Sequence, residues 1–162
     1  MIIKEGDLQE LRESIQYRDG NGISLNRLKR DIASCAENMG IPVTFEIGQV
    51  KVGGFLKSEL EDCLVFYHPD HEKDYYKVCI RLMWIGRSCK ISFYSFGESK
   101  QMKKMYLYNQ AVQGGIDNGG GQLASRIMGS LLVPGINKRK AEEEQMYYDL
   151  ILELIDNVFV TQ

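Results

Sequence analysis

From Tyr75 to Phe96, apolar and polar side chains alternate around a break at Gly86-Arg87. Period-two alternation marks a strand whose two faces meet different surroundings, and two such runs around a short break form a hairpin. The pairing sets Trp84 opposite Cys89, Leu82 opposite Ile91, Ile80 opposite Phe93 and Val78 opposite Ser95. One face is then almost wholly apolar, which predicts a core that includes Trp84. The other face carries Cys79, Arg81, Met83, Ser88, Lys90, Ser92 and Tyr94. A slip of one residue would exchange the faces, so burial specifies the register. Cys79 and Cys89 fall on opposite faces and are not expected to form a disulfide.

A second tight hairpin is expected earlier. Val43 to Ile47 alternates, and Gly48-Gln49 suits a two-residue turn with glycine first. Ile47 would then face Val50, Glu46 would face Lys51, and Phe45 would face Val52. Cys63 to His68 reads as a further strand stopped by Pro69. Residues 55–62 fit either a helical turn or an extended lead-in.

Helical periodicity brackets these strands. Asp7 and Glu10 have capping-box spacing, with Leu8, Leu11 and Ile15 on one face, so a first helix is expected near 7–17. Ser24 is a good N-cap for a helix carrying Leu25, Leu28, Ile32, Cys35, Ala36 and Met39. Gly40 and Pro42 end it. After Gly97, Met102, Met105, Tyr106, Asn109 and Val112 share a face. A glycine-rich break spans Gly114 to Gly121, and Gln122 to Leu132 forms a short helix. The last helix, Lys138 to Val160, carries the strongest stripe, with Leu154 at its centre and expected to be buried. No βαβ alternation is visible, which argues against a doubly wound nucleotide fold. The expectation is a single α+β domain over 1–162. An antiparallel sheet of about five strands, with two tight hairpins, is flanked by N-terminal and C-terminal helices.

A chain of 162 residues with 44% hydrophobic and 26% charged residues can hold such a core unaided. Its formal net charge of −2 gives no general attraction for nucleic acid. The N-terminus lacks the apolar core of a signal peptide, and no apolar run approaches membrane-spanning length. Cys35, Cys63, Cys79 and Cys89 are scattered without a CxxC pair and read as reduced thiols. A cytoplasmic setting follows as the expectation.

Several constellations bear on chemistry. His68, Asp70 and His71 supply imidazole and carboxylate ligands suited to zinc, although in a polar loop beside Pro69 a solvated turn is the competing reading. Gly119, Gly120 and Gly121 open a helix and could cradle a phosphate. The segment before them reads as helical rather than as a strand, however, and there is no Walker lysine, so a hinge competes. Gly121, Ser125 and Gly129 form a ridge of small residues, suited to close packing within the domain or to homo-oligomer formation through helix 122–132. Lys138-Arg139-Lys140 is offset by Glu142-Glu143-Glu144. Cys63 and His68 lie about 16 Å apart along a strand and on opposite faces, which does not make a nucleophile–base pair. Arg81, Met83 and Tyr94 form an amphipathic patch suited to binding.

The sequence therefore points to a non-enzymatic protein-interaction or ligand-binding module with no cofactor, whose partner is a protein or a small molecule. The alternative is a small metal-dependent enzyme, or a metal-binding protein, using the His68/Asp70/His71 loop.

Overall fold

The computed structural model describes residues 1–12, 15–54, 57–71, 73, 75–119 and 121–160. Two compact units are formed, Met1–Gly97 with Leu150–Gln162 and Glu98–Asp149.

The first unit is built on strands β1 (Ile2–Lys4), β2 (Gln9–Glu10), β3 (Ile15–Tyr17), β4 (Thr44–Gly54), β5 (Lys57–Tyr67), β6 (Lys77–Ile85) and β7 (Ser88–Phe96). Their order is β1-β4-β5-β6-β7-β2, with β3 also on β7. The expected antiparallel sheet of about five strands is roughly matched in its four long strands and short additions, but the sheet is mixed, because β1 runs parallel to β4. β1 and β2 sit on opposite edges, yet only five residue steps separate Lys4 from Gln9. In a flat sheet those edges would be five strand spacings apart, about 24 Å. Five steps of extended chain reach at most about 18 Å. The sheet must curl, and the turn at Glu5–Asp7 closes the gap.

Curling gives the sheet two buried faces. Inside the curl, Val50, Cys63, Val65 and Cys79 pack with Ile3, and Leu8, Val52, Tyr67, Tyr94 and Phe96 lie around them. On the opposite face Leu64, Phe66, Ile80 and Phe93 are fully buried. Helix α1 (Leu25–Met39) lies against β5 and buries Leu28, Ile32 and Ala36. The end of α4 (Lys138–Val160) buries Ile151, Leu154 and Ile155 in the same unit. Asn157 there reaches Met39 at 3.5 Å, and Asp156 pairs with Arg12.

Helix α1 forms as its sequence dictates. Ser24 Oγ accepts the Arg27 N–H at 3.2 Å. Gly40 takes the left-handed conformation, φ 68°, and Ile41 N–H closes onto Ala36 O at 2.9 Å. The β6–β7 hairpin also has its expected register, from Val78↔Ser95 to Trp84↔Cys89. Cys79 and Cys89 are free thiols.

Three expectations fail here, each for a tertiary reason. The helix near 7–17 is absent: Gln9, Glu10 and Ile15 to Tyr17 pair instead with the free edge of β7. A helix that short is marginal unaided, and an open strand edge outbids it. Residues 13 and 14 lie outside the described residues. The hairpin at Gly48-Gln49 is one uninterrupted strand, with Ile47 opposite Leu64 and Val50 opposite Glu61. Gly48 is there for closeness, since a Cβ would meet Cys63 Sγ and Val65 Cγ2 at 3.3 Å. Ile47 and Val50 fall on opposite faces, Val50 buried inside the curl and Ile47 exposed. Residues 57–62 are strand, whereas 55 and 56 lie outside the described residues. Trp84, expected in the core, is 48% exposed. Its register is as expected, but β5 covers β6 only as far as Arg81, so at Trp84 β6 is an open edge even though β3 still lines β7 as far as Cys89.

The second unit is helical: α2 (Lys100–Asp117), α3 (Gln122–Leu132) and the first half of α4. Ser99 Oγ caps α2 by accepting the Met102 N–H at 3.0 Å, and its hydroxyl donates to the buried Glu144 carboxylate. Helix α2 continues through Gly114 and Gly115, so the break expected from Gly114 begins at Asn118. No helix among the described residues is long and apolar enough to cross a membrane.

Candidate interaction surface

Helix α3 is oriented against the usual rule. Its two buried residues are Ser125 and Gly129, and every other position from Gln122 to Leu132 is exposed. The contact with α2 is made at near-backbone distance. A Cβ on Gly115 would lie 2.7 Å from Ser125 Oγ, and one on Gly129 would lie 3.0 Å from Val112 Cγ2 and 3.1 Å from the Tyr108 ring. The small-residue ridge of the sequence is therefore spent within the chain. Gly121, its third member, has nothing within 4 Å of a Cβ position and stands outside this contact.

Turning the ridge inward turns the large side chains outward. Leu123 is 75% exposed, Ile127 54% and Leu131 71%, at four-residue spacing along one face. Met128 and Leu132 extend it. Contiguous exposed apolar surface of this kind is a common feature of association sites. Arg126 is the only charged residue of α3, and no acidic residue occurs between Asp117 and Glu142.

A second feature lies between α2 and the first half of α4. Met102, Met105, Tyr106 and Met146 line an open groove of about 500 Å³, with Glu142 and Asp149 among its walls. Methionine suits such a surface because its flexible, polarisable side chain adapts to what covers it. The Ser99–Glu144 bond ties the start of α2 to α4 beside it. Lys138 Nζ stands 4.6 Å from the Tyr108 ring centroid, and Lys104 Nζ donates to Gly135 O at 3.3 Å.

The residues singled out in the sequence are distributed as follows. His68 and His71 come together with stacked rings, 3.8 Å between centroids, and Tyr75 meets His71 edge-on. His68 Nδ1 accepts the Asp70 N–H at 3.0 Å, so that nitrogen is engaged within the loop. Burial lowers the His68 pKa, against the opposing pull of Asp70. Among the described residues no three His, Cys, Asp or Glu side chains converge as a metal-binding group.

Arg81 and Tyr94 are brought together, with the guanidinium 5.8 Å from the ring centroid. Arg81 also binds Glu61 at 2.6 Å and Glu5 at 3.2 Å, and its side chain is only 12% exposed. Burial opposes its charge, but the bonds to the two glutamates outweigh that and raise its pKa. The group spans the curl and is engaged internally, while Met83 lies exposed near the hairpin tip.

Gly119 has φ 81° and Gly121 caps α3, while Gly120 lies outside the described residues. Cys63 and Cys79 meet inside the curl. The hydrogen bond to Cys63 and burial push the Cys79 thiol far up, which keeps it protonated and unreactive.

Neither the outward face of α3 nor the groove was singled out from the sequence. The signal for the first was present, since Leu123, Ile127 and Leu131 stand opposite the ridge of Ser125 and Gly129. No protein-family model matches the chain, and no curated protein or solved structure matches it.

Proposed function

We propose that the chain is a non-enzymatic protein-interaction module whose docking element is the outward face of α3. The observation that carries this reading is the inverted burial of that helix: small residues inward, Leu123, Ile127 and Leu131 outward. Leaving such side chains in water forgoes about 1.5–3 kcal/mol apiece, a penalty that a binding partner removes. Anchors spaced four residues apart on one helix face are what a partner's hydrophobic groove receives. The metal-dependent alternative at His68, Asp70 and His71 has less support, because the His68 Nδ1 lone pair is already engaged by Asp70 N–H.

A photoreactive residue replacing Ile127 tests the reading in the cell that makes the protein. Irradiation is expected to give discrete covalent adducts with a polypeptide. The same residue at exposed Glu37 on α1 serves as control and should give none. Absence of any polypeptide adduct at 127, or equal yield at both positions, removes the proposal.

A further inference from the structure

We infer that the occupant of the α3 face is a second copy of this chain, which receives it in the methionine-lined groove between α2 and α4. The inference rests on the reading of α3 as a docking element and names its partner. Three properties of the two surfaces match. In length, Leu123 to Leu131 rises eight residues, about 12 Å, and the groove wall from Ala141 to Asp149 rises eight residues, again about 12 Å. In polarity, the α3 face and the floor of the groove at Met102, Met105, Tyr106 and Met146 are apolar, and the methionines can reshape around leucine and isoleucine.

In charge they are opposite. Helix α3 holds one charged residue, Arg126, and no acid, whereas the groove is walled by Glu142 and Asp149 and is lined by no lysine or arginine. Pairing α3 with α3 across a twofold axis would instead bring the Arg126 side chains of two acid-free helices together, so complementarity favours the groove over the symmetric arrangement.

The chain cannot satisfy its own groove with its own α3. Ser125 and Gly129 pin α3 to the side of α2 that carries Tyr108, Val112 and Gly115, while the groove uses Met102, Met105 and Tyr106. The two surfaces do not overlap, so one copy can donate α3 and accept another at once. Reciprocal exchange closes a dimer, and one-way exchange extends a chain.

Complementation between two exposed substitutions tests this by sedimentation equilibrium. Leu131→Asp spoils the donor and leaves the groove, whereas Met146→Arg spoils the groove and leaves the donor. Wild type is expected to exceed its monomer mass of 18.5 kDa as concentration rises. Each variant alone, shown folded by its circular dichroism, should stay monomeric. Their equimolar mixture should recover one good contact and form a heterodimer of twice the monomer mass. If wild type associates but the mixture stays monomeric, α3 does not enter the groove and the inference is overturned. If wild type stays monomeric through the micromolar range, self-association is overturned. A polypeptide adduct at 127 would then still uphold α3 as a docking face for a different protein. Co-sedimentation of monomeric wild type with phosphatidylserine vesicles, lost in Leu131→Asp, would overturn it in favour of a lipid surface.

Discussion

The sheet unit and the helical unit treat their large apolar side chains in opposite ways. In the first, Leu64, Phe66, Ile80 and Phe93 are fully buried on one face, and Val50, Cys63, Val65 and Cys79 on the other. The two cores take up these side chains, while Met83, Trp84 and Ile85 at the hairpin tip stay exposed, and the central Arg81 is held by Glu5 and Glu61. In the second, the closest contact between helices is made by glycine and serine, while leucine and isoleucine face solvent. Folding accounts for the first arrangement. It does not account for the second, where Leu123, Ile127 and Leu131 are left in water on one helix face, an arrangement the proposed docking role would explain.

Truncating one leucine in each region is the sharpest way to break this contrast. Leu154, fully buried on α4, should cost about 2–5 kcal/mol when changed to alanine. Leu131, 71% exposed on α3, should change monomer stability by no more than about 0.5 kcal/mol under the same substitution. Denaturant unfolding of dilute protein measures both. A large loss for Leu131→Ala would show that α3 is covered within the chain and that the two regions are alike.

Glycine separates the inward and outward sides of the helical unit itself. At Gly129 a Cβ would meet Val112 and Tyr108 at 3.0–3.1 Å, so Gly129→Ala should cost about 1–3 kcal/mol by overpacking, more than the helix propensity it gains. At Gly114 nothing lies within 4 Å, and Gly114→Ala should stabilise by up to about 1 kcal/mol. Opposite signs in thermal unfolding support the close α2–α3 contact, and a stabilising Gly129→Ala would contradict it.

What could be read from sequence tracks how local the determinants are. Helix α1 was legible end to end because Ser24 and Gly40 cap it from within a few residues. The β6–β7 register was legible because parity and a single turn define it. Residues 9–17 were not, since β7, their partner, lies some eighty positions further on and offers an edge that no local pattern announces. Gly48 looked like a turn residue when its role is to let Cys63 approach, a contact made across the sheet. Trp84 shows the same limit from the other side, since its pairing was local and correct while its burial depended on where β5 stops. For α3 the periodicity revealed two unlike faces, but only the contact with Gly115, Tyr108 and Val112 decided which one points inward.

The smallest expected effect is a pH dependence confined to the sheet unit. Both histidines of the chain, His68 and His71, belong to Met1–Gly97, and neither lies in Glu98–Asp149. Burial lowers the folded-state pKa of His68 below its ordinary 6.5, so just below that pH the unfolded chain binds more protons than the folded one. Stability must then rise with pH across the window. The contribution is complete above about 6.5 and is lost as the pH falls through that value towards the folded pKa. Amide exchange of β5 and β6 should accordingly quicken on mild acidification, after correction for intrinsic rates, while that of α2 and α3 should not respond. His68→Gln should flatten the dependence in β5 and β6. An unchanged slope in that variant, or an equal response in α2, would remove the distinction in pH behaviour between the two units and with it the assignment to His68.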